Sequence, residues 1–486
     1  MKELHFRGTW LSLAFGLAVW ACGAWLWPQL MNYQEEYQLF VWTADYLVQR
    51  LMVVGGLADY VSEFLVQFCY VPWLGALLWA GLLVGLQRGV LSLCARHDGL
   101  AVLLSFVPSL LLLVAMGDPD VLWSLPVALI LACVCAHLPH FIRILLFPLT
   151  YWLLGPVAWI TLLYGQTNTS GSPGGARSAV SRWVVGILWA LLCMVVFSRT
   201  LLRQYPPLSA WLGINYYRIP TMWPALSMVG VLACLVIPWV SRHLAARRRL
   251  TVLVAACLSV ATVVGCAFTY QRDRLELMAY DYLVRQAKWD ELVQRAERRQ
   301  PRADYGAVCV NLALAMRGEL PDRLDAFYQD GQKGLVAPFG NDCVSMLPSA
   351  EVFWRLGMVN EALRYFFDTQ EAILNCRKSG RCTARMVECY LVNGWPEAAA
   401  GHIETLRRTL FYRRFALNAE ACLRDDKRVD AHPVWGRQRQ LRYRTDVLFS
   451  YDELYKMFGR LYLDNQQNDM ALQYYVANCR LLGIDP

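Results

Sequence analysis

Apolar residues run in long blocks through the first 270 positions, then recur at helical spacing among charged residues to the end of the chain. The blocks are 8–27, 71–86, 99–116, 121–137, 141–165, 183–198, 221–239 and 250–270. A helix of about 20 apolar residues crosses the hydrocarbon core of a bilayer, so each block is predicted to be a membrane span. Residues 141–165 are predicted to form a hairpin broken at Gly155-Pro156, because the polar loop 166–181 and the basic cluster at 242–249 both favour the cytoplasm. With the hairpin's short arms included, the chain makes about eight or nine crossings or partial crossings.

Residues 28–70 interrupt this pattern. Polar Gln34-Glu35-Glu36-Tyr37-Gln38 precedes Leu39-Phe40-Val41-Trp42, and Tyr60, Phe64, Leu65 and Phe68 then recur beside Asp59, Glu63 and Gln67. This predicts two amphipathic helices lying along the outer membrane interface, with a bend at Gly55-Gly56.

From Asp273 onward the pattern predicts paired helices. Tyr455, Phe458, Gly459 and Tyr462, followed by Ala471 and Tyr475, alternate large and small residues as in the tetratricopeptide repeat. Similar units surround the turns 287–292, 317–322, 357–361 and 393–398. Leu292, Ala362, Ala398 and Ala471 fall 70, 36 and 73 positions apart, close to multiples of the roughly 34-residue repeat. The predicted fold is therefore all-α: a polytopic transmembrane helix bundle at 1–270 and a tetratricopeptide-like α-solenoid at 271–486.

Charge divides the chain at the same place. Residues 1–270 carry 15 Lys and Arg against 9 Asp and Glu, a net +6. Residues 271–486 carry 31 against 29, a net +2. Neither excess argues for nucleic acid. Lys2 and Arg7 before the first block place the N-terminus in the cytoplasm, and Arg247-Arg248-Arg249 before the last places the solenoid on the far side. The first block continues into Trp and Pro rather than small residues, which predicts a retained span and not a cleaved signal.

Sixteen cysteines form no metal-binding spacing. Cys376 and Cys382 are close enough in sequence to pair in an oxidising compartment, although buried thiols are the commoner use of helical cysteine. No phosphate-binding loop, catalytic triad or nucleotide fingerprint is present. A basic run that includes Arg407, Arg408, Arg413, Arg414, Arg437, Arg439, Arg442 and Arg444 is either a solvated face or a patch for an anionic partner.

Two stretches, Gly55-Gly56-Leu57-Ala58-Asp59-Tyr60 through Phe68 and Asn311-Leu312-Ala313-Leu314-Ala315 followed by Gly318, make the chain similar to an uncharacterised bacterial family of multi-pass inner-membrane proteins. The resemblance implies the two-part architecture and supplies no activity or site residues.

The leading functional expectation is a protein-interaction or assembly scaffold in the cell envelope. Membrane lipids and a protein docked on the repeats are its expected partners, and no cofactor is evident. The alternative is a lipid-linked glycosyltransferase. Enzymes of the C-type fold carry an acidic residue in the first outer loop, and this chain resembles them in Glu35 and Glu36, with Asp118 and Asp120 in the next outer turn. A carboxylate there could deprotonate an acceptor hydroxyl or hold a divalent metal. A transporter would need charges within its spans, and these are nearly charge-free.

Overall fold

Turns and breaks in this protein fall where glycine, proline and polar clusters interrupt the apolar periodicity. The computed structural model describes residues 2–117, 123–164, 175–212, 223–244, 246–340, 345–373, 377–445 and 450–485. Among these residues every regular element is a helix, apart from an isolated bridge between Asp330 and Gln332. The chain divides into two units. One comprises Met1–Gln34 and Thr43–Gln271, the other Glu35–Trp42 and Arg272–Pro486.

In the first unit, four helical stretches are long and apolar enough to cross a membrane: Gly8–Leu26, Pro72–Leu93, His140–Leu163 and Arg248–Thr269. Their outward faces remain apolar. Leu17, Val252 and Phe268 are all well exposed, and Arg248–Thr269 has no buried residue. Such a surface, on helices of this length, is suited to insertion in a membrane. Small residues let the helices approach closely. A Cβ on Gly16 would lie 2.8 Å from Val84, and one on Gly23 would lie 2.8 Å from Ala76, so the first helix packs directly on Pro72–Leu93. Ser12 Oγ donates to Gln87 Oε1 at 2.7 Å, and Gln87 Nε2 donates to Ser105 Oγ at 2.8 Å. This chain of polar contacts adds specificity to an otherwise apolar interface.

Length and composition alone make His140–Leu163 a single span, but its hydrogen bonds fold it back. As one continuous helix it would hold Arg143 and Thr161 about 27 Å apart, at about 1.5 Å per residue. Arg143 instead donates to the Thr161 carbonyl at 3.1 Å. The reversal is at Gly155, whose φ of 71° lies in the region glycine tolerates. The arms are His140–Leu154 and Trp159–Leu163, joined by the short turn Gly155–Ala158.

Residues 28–70 differ from expectation. The helix Pro28–Glu36 is followed by extended chain and then by Ala44–Leu51 and Gly56–Val66. Leu39-Phe40-Val41-Trp42 is therefore not helical. The Gly55-Gly56 bend is present: Gly55 has φ 84°, and a Cβ on Gly56 would strike the Arg50 carbonyl. The polar side of Gly56–Val66 is buried. Glu63 pairs with Arg50 Nε at 2.9 Å and accepts from the Tyr46 hydroxyl.

The second unit has one extended apolar core. Helices consecutive in sequence pack on each other from Met346–Arg355 through Val359–Glu371, Gly380–Asn393, Pro396–Arg407 and Arg413–Arg424, and again between Leu454–Asp464 and Asp469–Leu482. The turns read from the sequence at 287–292, 317–322, 357–361 and 393–398 each cover a gap between two helices and run into the first residues of the next, and residues 465–468 separate Leu454–Asp464 from Asp469–Leu482. Gly357 is needed at its turn: φ is 81°, and an added Cβ would sit 2.2 Å from the Leu441 carbonyl oxygen. Gly459 lies 3.1 Å from the Tyr475 ring by the same measure, and Phe458 and Ala471 are buried. Asn311 clamps a loop, its Nδ2 donating to Gln329 Oε1 and to the Gly334 carbonyl, both at 2.8 Å.

Candidate functional site

Among the described residues, the largest concentration of buried charge lies in the second unit, where three helices each present two charged residues four positions apart. These are Asp281 and Arg285 on Arg272–Arg285, Glu351 and Arg355 on Met346–Arg355, and Arg381 and Arg385 on Gly380–Asn393. The spacing puts both members of each pair on one helix face. The segment Glu35–Trp42 supplies the rest. Arg381 Nη1 contacts Asp281 at 2.6 Å and Glu36 at 3.1 Å, and its Nη2 contacts Asp281 at 3.0 Å and Glu351 at 3.4 Å. Arg385 holds Glu351 through two nitrogens, at 3.1 and 2.9 Å, and Glu388 at 2.6 Å. Arg285 bridges Glu36 at 3.0 Å and Glu35 at 3.1 Å. The Tyr412 hydroxyl donates to Glu35 Oε1 at 2.8 Å and accepts from Arg285 Nη2 at 2.9 Å. Gly380 makes room for Tyr412, since a Cβ there would meet the ring at 2.3 Å.

Backbone contacts fix the same segment. Leu39 N donates to the Lys378 carbonyl and Trp42 N to the Arg408 carbonyl, both at 2.9 Å. Leu39 belongs to the unit's core, and Phe40 is 1% exposed. The end of Pro28–Glu36 is thus held by ion pairs, and the extended chain after it by main-chain bonds and apolar anchors.

Electrostatics differ across the network. Burial raises the Glu36 carboxyl above its ordinary value, and Arg381 and Arg285 offset this only in part. Burial also acts to raise Glu351, but Arg385, Arg381 and Arg355 outweigh it and hold that carboxyl below the usual range. The Tyr412 hydroxyl is pushed well up by burial and by Glu35. Arg355 is lowered by burial, against the attraction of Glu351, and lies over the Trp289 ring at 4.8 Å.

These positions bear directly on the residues singled out in the sequence. Glu35 and Glu36 are buried against arginine and tyrosine within the second unit. Asp118 and Asp120 lie outside the described residues. Among the described residues, no group of three His, Cys, Asp or Glu is placed to share a metal ion. In the basic run, Arg407 and Arg408 both pair with Glu404, and Arg439 pairs with Asp426 and Asp430. Arg439 and Arg442 also donate to the Leu391 and Asn393 carbonyls, at 2.6 and 3.0 Å, closing the end of Gly380–Asn393. Arg413, Arg414, Arg437 and Arg444 are exposed. Cys382 is buried, and Cys376 lies outside the described residues. Sequence reasoning missed Arg285, Arg381, Arg385, Asp281, Glu351 and Tyr412. The signal available was paired charges at i and i+4 within apolar faces, such as Asp281 between Tyr280 and Leu283.

No curated protein and no solved structure matches the chain. Residues 3–484 match one family throughout, across both units and the segment between their parts, so the chain belongs to the family of unknown function DUF6057.

Proposed function

We propose that this protein is a membrane-anchored interaction scaffold of the bacterial cell envelope. In this reading the first unit spans the inner membrane with the N-terminus in the cytoplasm. The second unit is a tetratricopeptide-like array in the periplasm that docks another protein. The observation that carries the reading is the handling of the extended Leu39–Trp42: the second unit holds it by main-chain bonds from the ends of its helices and their connections and by apolar anchors, as helical arrays hold peptides. Exposed Trp395, Leu410 and Leu417, with Arg413, Arg414 and Arg437, offer further apolar and cationic contacts. Transfer chemistry at Glu35 or Glu36 has less support, because both carboxylates are engaged by Arg285, with Arg381 and Tyr412 completing their contacts.

The test is photo-crosslinking from Arg413 and Leu417 in the full-length chain in its native membrane, with Val260 on the apolar helix as reference. One discrete protein adduct shared by Arg413 and Leu417 and missing at Val260 is expected. No adduct at either position, or the same adducts at all three, would overturn the scaffold reading.

A further inference from the structure

We propose that Glu35–Trp42 occupies, within the chain itself, the site at which the second unit takes a partner, and that this partner is an extended protein segment with two carboxylates ahead of a pair of large apolar residues. This rests on the scaffold reading above and gives its partner a chemistry. Three kinds of contact define the site. The Lys378 and Arg408 carbonyls accept from Leu39 N and Trp42 N, both at 2.9 Å. Such bonds do not depend on side-chain identity, so they suit any extended chain. Leu39 and Phe40 are 7% and 1% exposed, and Leu39 packs in the unit's core. Arg285 bridges Glu35 and Glu36, and Arg381 also contacts Glu36. The apolar anchors and the guanidiniums therefore set which segments the site accepts.

The resident segment fits this site imperfectly at one residue. Gln38 is 1% exposed, and among the described residues neither its Nε2 nor its Oε1 has a hydrogen-bond partner. The buried amide of Asn311 is different: its Nδ2 donates to Gln329 Oε1 and the Gly334 carbonyl, and its Oδ1 accepts from Gln329 Nε2 at 3.1 Å. Burying an amide without partners costs free energy that an apolar side chain of similar size does not. Burial also disfavours the ionised form of Glu36. A segment that keeps the carboxylates and the apolar pair, but has an apolar residue in the place of Gln38, is held more tightly than the resident one. Such a segment can displace Glu35–Trp42 despite its tether, which acts as an effective concentration on the order of millimolar.

The test uses the full-length protein in a neutral maltoside detergent and synthetic peptides with the sequence of residues 33–43. A peptide carrying Gln38→Leu is expected to bind and to speed hydrogen exchange at the chain's own residues 35–42, which mass distinguishes because they keep Gln38. Adding Glu35→Gln and Glu36→Gln to that peptide should weaken binding at least about tenfold, the scale of one lost charge-assisted hydrogen bond. Gln38→Leu in the protein should instead slow exchange at 35–42 and reduce peptide binding. Should that variant fail to fold, the peptide series on the wild type decides. No binding at peptide concentrations on the order of millimolar, equal binding by a scrambled peptide, or binding that leaves exchange at 35–42 unchanged would overturn the proposal. Any of these, beside a discrete adduct shared by Arg413 and Leu417, would remove this site and leave the scaffold reading standing.

Discussion

The two units satisfy their polar groups in opposite ways. The first exposes its apolar residues and buries few charges. Its internal polar contacts are short chains such as Ser12–Gln87–Ser105, and its helices meet through glycine. The second exposes most of its charge but also buries a continuous network of carboxylates and guanidiniums beneath Glu35–Trp42. Losing one neutral contact in the first removes one modest interaction. Losing one ion in the second takes a partner from several others that stay buried. Stability should therefore be far more sensitive to single polar substitutions in the second unit.

The strongest challenge to that contrast is Arg381→Met in the full-length protein. It takes the paired arginine from Asp281 and one of the cations from Glu36 and Glu351, and should cost about 3–5 kcal/mol. Hydrogen exchange should rise across 272–445 while the Pro72–Leu93 helix stays protected, and exchange that rises equally in both would break the contrast. Leu39→Ala should come next, at about 2–5 kcal/mol for a buried leucine, read as faster exchange at 377–412. If those amides are unchanged, Leu39 is not a working part of the second unit's core.

Titration sharpens the comparison within the network. Glu351 has a folded value below its ordinary 4.5. Its contribution is present above that value and lost as pH falls through the folded one. Glu36 has a folded value above 4.5, so its contribution is full below 4.5 and declines as pH rises through the folded value. Glu36→Gln should therefore flatten the loss of thermal stability on the alkaline side, and Glu351→Gln the loss on the acid side. Midpoints measured from pH 3 to 8 would decide, and identical profiles for the two variants would refute the assignment. The smallest effect belongs to the first unit: Ser12→Ala should cost about 0.6 kcal/mol, the average for such contacts between membrane helices. A cost as large as that of Arg381→Met would erase the distinction.

Local features were legible in the sequence, and long-range partners were not. The Gly55-Gly56 bend, the Gly155-Pro156 break and the helical turns at Gly357 and Gly394 follow from residues that act where they stand. The role of Glu35–Trp42 does not. Its partners Arg285, Arg381 and Tyr412 lie about 250 to 380 positions away, beyond the reach of any periodicity or composition window. The apolar run Leu39-Phe40-Val41-Trp42 fits a helix as readily as an extended segment, and only the tertiary context, with Leu39 and Phe40 buried and Trp42 exposed, selects the second. The basic run left both of its readings open for a related reason: a run of arginines does not show that Asp426 and Asp430 will pair with Arg439.

Holding Glu35–Trp42 within the second unit also constrains how the chain is threaded. Residues 35–42 and 272–486 fold as one body, so both lie on the same face of any membrane the protein crosses. The crossings between Trp42 and Arg272 must then add up to an even number. Besides the hairpin, six apolar helical stretches are described in that interval: Pro72–Leu93, Gly99–Ala115, Ser124–Cys135, Gly175–Arg199, Trp223–His243 and Arg248–Thr269. Pro72–Leu93 and Arg248–Thr269 are long enough to cross by themselves. That pair, or all six stretches, meets the parity rule, and a hairpin that enters and leaves by one face adds none. A full passage by His140–Leu163 would make either total odd and pull Leu39 out of the core it completes. Cysteines placed at exposed Trp42 and Arg413 should be labelled from the same side of sealed vesicles, and labelling from opposite sides would rule out this threading.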